Sequence, residues 1–196
     1  MRKLKILGID LAGKPDNPSG VCILEADENK FCEVSLSTLY SDKEILDKIN
    51  SIQPSLIVMD APLSLPKGRC CLDKNCECAV GGHFRQSERE IRVYGPVLPL
   101  TFTGMKMLTL RGVGLAQVLR EKYLLKETHP RTVQKILGLE NLKTDLERYF
   151  QIPLNSTSHE LDAVLAALCG LYYLNESYVE LGDVDEGTII IPKDKN

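Results

Sequence analysis

The chain has 196 residues, 43% of them hydrophobic and 26% charged, with a formal net charge of −3. That suits one ordinary soluble domain with a full core, or one domain carrying an insertion. No run approaches the roughly 18 apolar residues of a membrane span and the N-terminus carries no signal-peptide pattern, so no membrane partner and a cytoplasmic location are expected.

The first element is an apolar run from Leu4 to Ile9 that ends on Asp10 and breaks at Gly13. It reads as a buried strand delivering a carboxylate to the carboxyl end of a sheet, where open α/β folds bind ligands. A strand-terminating turn residue is the plain alternative. Residues 14–20 are a turn by composition. Ser19 to Glu25 and Phe31 to Tyr40 follow as second and third strands around a hairpin turn at 27–30, which makes a meander. Ser41 and Glu44 have capping-box spacing, and Ile45, Leu46, Ile49 and Ile52 recur at helical intervals until Gln53 and Pro54. A second apolar run, Leu56 to Met59, again ends on a carboxylate, Asp60, before Pro62. Side by side, the two strands would make Asp10 and Asp60 neighbours.

After Pro62 the pattern dissolves into Gly, Pro and Cys, which predicts a Cys-rich insertion at about 63–95. It includes a short helix from Phe84 to Tyr94 bearing Arg85, Arg89 and Arg92. Met105 to Tyr123 reads as a helix weakened or kinked at Gly112 and Gly114. Leu124 to Thr128 is a fifth strand with Glu127 near its end, and short helices follow near 131–137 and 141–149. Thr157 and Glu160 form a second capping box. The helix they open has Leu161, Val164, Leu165, Leu168 and Tyr172 as its core stripe and Ala163, Ala166, Ala167 and Gly170 for close approach to a sheet. Thr188 to Pro192 suits an added edge or terminal strand.

Charge is segregated along this order: residues 67–135 hold 13 Lys and Arg against 6 Asp and Glu. The imbalance predicts a basic face for phosphates beside an acidic site, with chance clustering on a solvated face as the alternative. The cysteines are segregated too. Cys22, Cys32 and Cys169 sit in apolar contexts and read as packing residues. Cys70, Cys71, Cys76 and Cys78 fall within nine residues, a density that favours metal or redox chemistry. Adjacent Cys70 and Cys71 are hard to place on one ion, so structural zinc with His83 replacing one sulfur is the preferred reading, ahead of an iron–sulfur cluster or disulfides.

His159 and Asp162, three apart at a helix start, project to one side. With Asp10 and Asp60 they make three carboxylates and an imidazole, a set suited to a pair of Mg²⁺ or Mn²⁺ ions that activate water and stabilise a leaving oxygen. Asp10 would bridge the ions, Asp60 and Asp162 would hold one each, and His159 would be a ligand or proton acceptor. Taken singly, His159 and Asp162 are also explained by the helix dipole, and Glu160 by capping. Glu127, His129 and Arg131 form a polar cluster suited to substrate phosphate or metal, or an ordinary loop. Arg85, Arg89 and Arg92 share one helical face that could track a phosphate backbone, or could pair with Glu88 and Glu90.

Gly8 to Gly13, Met59 to Pro62, Arg89 to Arg92, Thr128 to Arg131, His159 to Ala163, and Gly182-Asp183 before Glu186-Gly187 resemble a prokaryotic domain-of-unknown-function family of predicted nucleases of the RNase H fold. The resemblance spans nearly the whole chain. It implies an α/β fold with a central five-stranded mixed sheet, a meander first and flanking helices. The His159–Asp162 pair is similar to that of RuvC-type Holliday-junction resolvases, whose helix supplies metal ligands beside acids on the first and fourth strands; here Asp60 stands where those resolvases have a Glu. Together these readings predict a Mg²⁺- or Mn²⁺-dependent nuclease acting on nucleic acid of unspecified type. A non-catalytic nucleic-acid-binding or metal- or redox-sensing regulator on the same scaffold is the alternative. An ATP-binding phosphotransferase is disfavoured, because that fold needs two lobes and a second phosphate loop. Oligomeric state is left open, a homodimer included.

Overall fold

A computed structural model describes residues 4–26 and 32–194. The hairpin turn expected at 27–30 and the strand start at Phe31 lie outside the described residues, as does the side chain of Cys32. Alternation along the first strand, β1 (Leu4–Asp10), sets the architecture. Ile6 joins one apolar cluster while Leu7 and Ile9 join another on the opposite face. Residues two apart in a strand share a face, so Asp10 projects on the side of Ile6 and Gly8.

β2 (Ser19–Ala26) and β3 (Cys32–Leu39) complete an antiparallel meander. α1 (Asp42–Ile52) starts at the expected capping box: Ser41 accepts from the Glu44 N–H and Glu44 reaches back to the Ser41 N–H. It returns the chain to β4 (Leu56–Asp60), parallel to β1 with Asp60 opposite Asp10. Then come α2 (Gln86–Ile91), α3 (Thr103–Leu119) and β5 (Leu125–Thr128), the last parallel to β4. α4 (Pro130–Ile136), α5 (Leu142–Leu146) and α6 (Ser158–Leu174) precede a terminal hairpin of β6 (Tyr178–Asp183) and β7 (Gly187–Pro192). α3 runs unbroken through Gly112 and Gly114.

Among the described residues the sheet has seven strands, in the order β3-β2-β1-β4-β5-β7-β6, which corrects the expected five. β7 is not the edge: it pairs parallel with β5 and antiparallel with β6. β6 escapes a hydrophobicity reading because most of it is only half-buried and Glu180 is exposed. Pro192 does no harm to the ladder because it is the last residue of its strand.

α6 and α4 cover the sheet face carrying Ile6, Leu24, Val58 and Ile190, and α1 and α3 cover the face carrying Leu7, Val21, Ile57 and Met59. Coverage of both faces explains why β1 and β4 read as near-continuous apolar runs, interrupted in β1 by Lys5. α6 lies very close to the sheet: a Cβ at Gly8 would fall 2.1 Å from the Ala163 carbonyl oxygen, and one at Gly20 1.9 Å from that of His159. Two side-chain-free positions therefore seat the first turns of α6 over the ends of β1 and β2. Among the described residues no helix is long and apolar enough to cross a membrane.

Candidate metal and nucleic-acid site

Strand periodicity and the seating of α6 converge on one place. Asp60 shares a face with Leu56 and Val58, as Asp10 does with Ile6, so both carboxylates point to the α6 side at the carboxyl ends of adjacent parallel strands. The Thr157–Glu160 capping box opens α6 there. From its first turns His159 places Nδ1 2.7 Å from Asp10 Oδ2, a distance at which the ring N–H donates to the carboxylate. Asp10, Asp60, His159 and Asp162 line one cleft of about 360 Å³, together with Glu127, His129 and Arg131.

The site is electrostatically uneasy as bare anions. Burial pushes the Asp60 carboxyl well above its usual range, and repulsion from Asp10, Asp162 and Glu127 adds to this. Burial, with Asp10 next, pushes Asp162 up to about 6. Asp10 is also raised by burial, partly offset by the hydrogen bond and charge of His159. Such a set of carboxylates, held together against repulsion, fits a hard divalent cation, which would remove the cost of ionising all three. His129 is held neutral over a wider range by burial and by the positive charge of Arg131; it precedes α4 and lies 2.9 Å, through Nδ1, from Thr132 Oγ1. Arg131 is exposed at the cleft.

The other arginines do not share a face. Arg85 is fully buried, ion-paired to Glu88 and, at 2.5 Å, to Glu127. That corrects its expected place on a phosphate-tracking surface. Arg89 and Arg92 are exposed, with the Arg92 guanidinium 3.9 Å over the Phe84 ring. Glu127 belongs with Arg85 by strand parity: as register partner of Met59 it points to the face opposite Asp60, where its carboxylate also accepts the Leu63 N–H at 2.9 Å. Burial raises its pKa and Arg85 opposes the rise.

The predicted basic face is thus partly spent inside the protein. Arg111, which the sequence reading passed over, is buried in α3 and donates to the carbonyls of Ala12 at 2.6 Å and Tyr40 at 2.5 Å, and to Asp42. It fixes the loop that follows Asp10. The available signal was an arginine flanked at helical spacing by Leu108 and Leu115.

The second candidate centre lies in the loop between β4 and α2. The sulfurs of Cys70, Cys71, Cys76 and Cys78 all lie within 4.8 Å of one another. His83 is not among them; its Nδ1 is 2.8 Å from Thr101 Oγ1. The expected substitution of His83 for one sulfur therefore gives way to a set of four thiols, none of them in a disulfide. Cys22 and Cys169 are buried packing residues, as their contexts suggest.

No protein-family model and no curated protein sequence matches the chain. Among solved structures, it is similar to T. thermophilus RuvC in complex with Holliday junction substrate, with a TM-score of 0.52 and 13% identity, over 88% of this chain and 96% of that one. At that identity the likeness is one of fold. The fold is RNase H-like.

Proposed function

We propose that the protein is a Mg²⁺- or Mn²⁺-dependent nuclease, akin to the predicted nucleases of unknown function that its motifs resemble. The observation that carries the reading is the register pairing of Asp10 with Asp60 beneath the first turns of α6, which bring His159 and Asp162 to the same cleft. Asp10, Asp60 and Asp162 would hold the ions, with His159 beside them. Divalent ions bound there supply an activated water and charge compensation at the leaving oxygen of a phosphodiester.

The chain's own groups divide the remaining work. Asp10, by accepting the Nδ1 proton, orients the His159 ring and leaves Nε2 to take up a proton or bind a ligand. Arg131, exposed at the cleft mouth, offers a cation to a substrate phosphate. Arg85 acts at one remove: its ion pairs hold Glu127, which in turn anchors the Leu63 N–H just after Asp60. The RuvC neighbour holds a Holliday junction, which supports nucleic acid as the substrate class.

The test is cleavage of a labelled panel of branched DNA, single- and double-stranded DNA, RNA and RNA/DNA hybrid with either metal, comparing the native chain with Asp10→Asn. Metal-dependent cleavage that vanishes in the variant supports the reading and names the substrate. A folded, metal-binding chain that cuts nothing on the panel overturns it in favour of a binding role.

A further inference from the structure

We propose that Cys70, Cys71, Cys76 and Cys78 bind a single zinc ion as a closed tetrathiolate site that holds the loop between β4 and α2 in shape. The sulfur spacing carries the proposal. Cys71 and Cys78 sulfurs are 3.6 Å apart and those of Cys76 and Cys78 3.3 Å. Four sulfurs arranged tetrahedrally at the zinc–sulfur distance of about 2.3 Å stand about 3.8 Å from one another. A disulfide would need about 2.05 Å. An iron–sulfur cluster divides its cysteines among two or four irons, and so spreads the four sulfurs farther than a single ion does.

The loop also lacks the means to hold itself together by burial. Between residues 67 and 82 the large side chains that reach the interior are Leu72, 1% exposed, and Arg69, 8% exposed. Segments with so little core depend on cross-links or metals. Arg69 has gathered the loop's backbone: its guanidinium donates to the carbonyls of Cys71 at 2.9 Å, Asp73 at 3.0 Å, Ala79 at 3.1 Å and Gly82 at 2.9 Å. This winding brings the adjacent Cys70 and Cys71 onto the same center as Cys76 and Cys78, which a simple turn would not do. Four thiolates around Zn²⁺ carry a net charge of about −2, and the buried Arg69 cation is beside them to offset it.

The loop is also tied to the body of the protein. The Glu186 carboxylate, in the turn before β7, accepts the backbone N–H of Lys67 at 2.7 Å and of Gln86 at 2.6 Å, so it holds both ends of the loop. Asp73 is ion-paired to Lys106 of α3. A metal-set loop therefore braces the segment that leads from Asp60 to Arg85. This centre uses soft sulfur ligands and is chemically distinct from the oxygen-rich cleft; the proposal stands whether or not the chain is a nuclease.

The experiment is elemental analysis of the full chain purified without added chelator, followed by chelation and titration with Co²⁺. The expected result is about one zinc per chain, retained in Asp60→Asn and lost in the double variant Cys76→Ser, Cys78→Ser. Cobalt should then give the intense visible and near-ultraviolet bands of a tetrahedral thiolate complex. Should the double variant fail to fold, reversible chelation and cobalt loading of the native chain decide by themselves. Iron in place of zinc, zinc lost in Asp60→Asn but kept in the cysteine variant, or four thiols that react freely in a metal-poor native chain would each overturn the proposal.

Discussion

Asp10 and Asp60 are direct register partners across the parallel strands β1 and β4, and both project toward the first turns of α6. Adjacent strands are about 4.8 Å apart, so backbone hydrogen bonds hold the two residues side by side and keep their carboxylates in one another's field. Asp162 adds a third charge that raises Asp60 further. The fold without metal therefore carries a local electrostatic penalty. Asp60→Asn should raise the Tm in chelator, by about 2–4 °C for each kcal/mol relieved in a chain of this size, while losing most of the Tm gain that Mn²⁺ gives the native chain. Differential scanning fluorimetry with and without metal checks both; a variant that melts below the native chain in chelator would show that repulsion does not dominate there.

The same penalty fixes a pH dependence. Asp162 titrates at about 6 in the folded protein against 3.8 as an ordinary aspartate. A raised folded pKa means that the native state holds the proton more tightly, so this group's contribution is fully present below 3.8 and is lost as pH rises through about 6. Asp10 and Asp60 act in the same direction. In chelator, Tm should rise as pH is lowered from 7 through the region near 6, with Asp162→Asn flattening part of the slope. Metal binding displaces these protons, so the apparent Mn²⁺ affinity should fall over that same interval. Calorimetric titration in buffers of different ionisation enthalpy would count the protons released.

His159 is the exposed partner in this arrangement, its side chain 46% accessible against 14% for Asp10. Truncation to Ala should leave the fold intact and remove the group that orients against Asp10. If His159 serves as proton acceptor, kcat should fall by about 10²–10⁴ with little change in KM, and circular dichroism should be unaltered. A loss confined to KM would instead mark His159 as a substrate contact.

Much of this site was legible because it is built from local rules. The capping boxes Ser41–Glu44 and Thr157–Glu160 are four-residue patterns, and each opens the helix it announces. Apolar runs ending on Asp10 and Asp60 need only that both sheet faces be covered. Arg69, Arg85 and Arg111 were not legible, because a charged residue reads as surface until its partners are known. Those of Arg111 include Ala12, Tyr40 and Asp42, brought together only by the folded chain. The convergence of all four cysteines was hidden for the same reason, since it depends on backbone wound around Arg69. β6 was missed because an exposed and half-buried strand carries little hydrophobic signal.

The arginines on and flanking α2 should separate cleanly by experiment. Arg85→Leu leaves Glu88 and Glu127 buried without their cation, a loss of about 3–5 kcal/mol, read as a lower midpoint in denaturant unfolding. Arg85→Lys should restore little, because one ammonium cannot replace a guanidinium shared between two carboxylates. Exposed Arg89 and Arg92 should cost little stability when changed to Ala. If they contact phosphate, each change should reduce the salt dependence of nucleic-acid binding by about one unit of slope. An Arg85→Lys chain of full stability would refute the buried role.

Gly20 links packing to chemistry more directly than any charged residue. A Cβ there would lie 1.9 Å from the His159 carbonyl oxygen and 2.7 Å from the Glu160 N. Both obstacles are backbone atoms, so a side chain cannot swing aside and the first turn of α6 must move. That turn carries His159 and Asp162, whose positions relative to Asp10 and Asp60 set the site. Gly20→Ala should therefore lower stability and weaken divalent-ion binding together, and a displacement of about 1 Å is enough to cost about 10²-fold in rate. Gly95→Ala, where a Cβ meets nothing within 4 Å, is the control. Mn²⁺ affinity, measured by calorimetry at a temperature where both variants remain folded, separates the two effects: native-like affinity in Gly20→Ala would mean that the helix start is not what positions the acids.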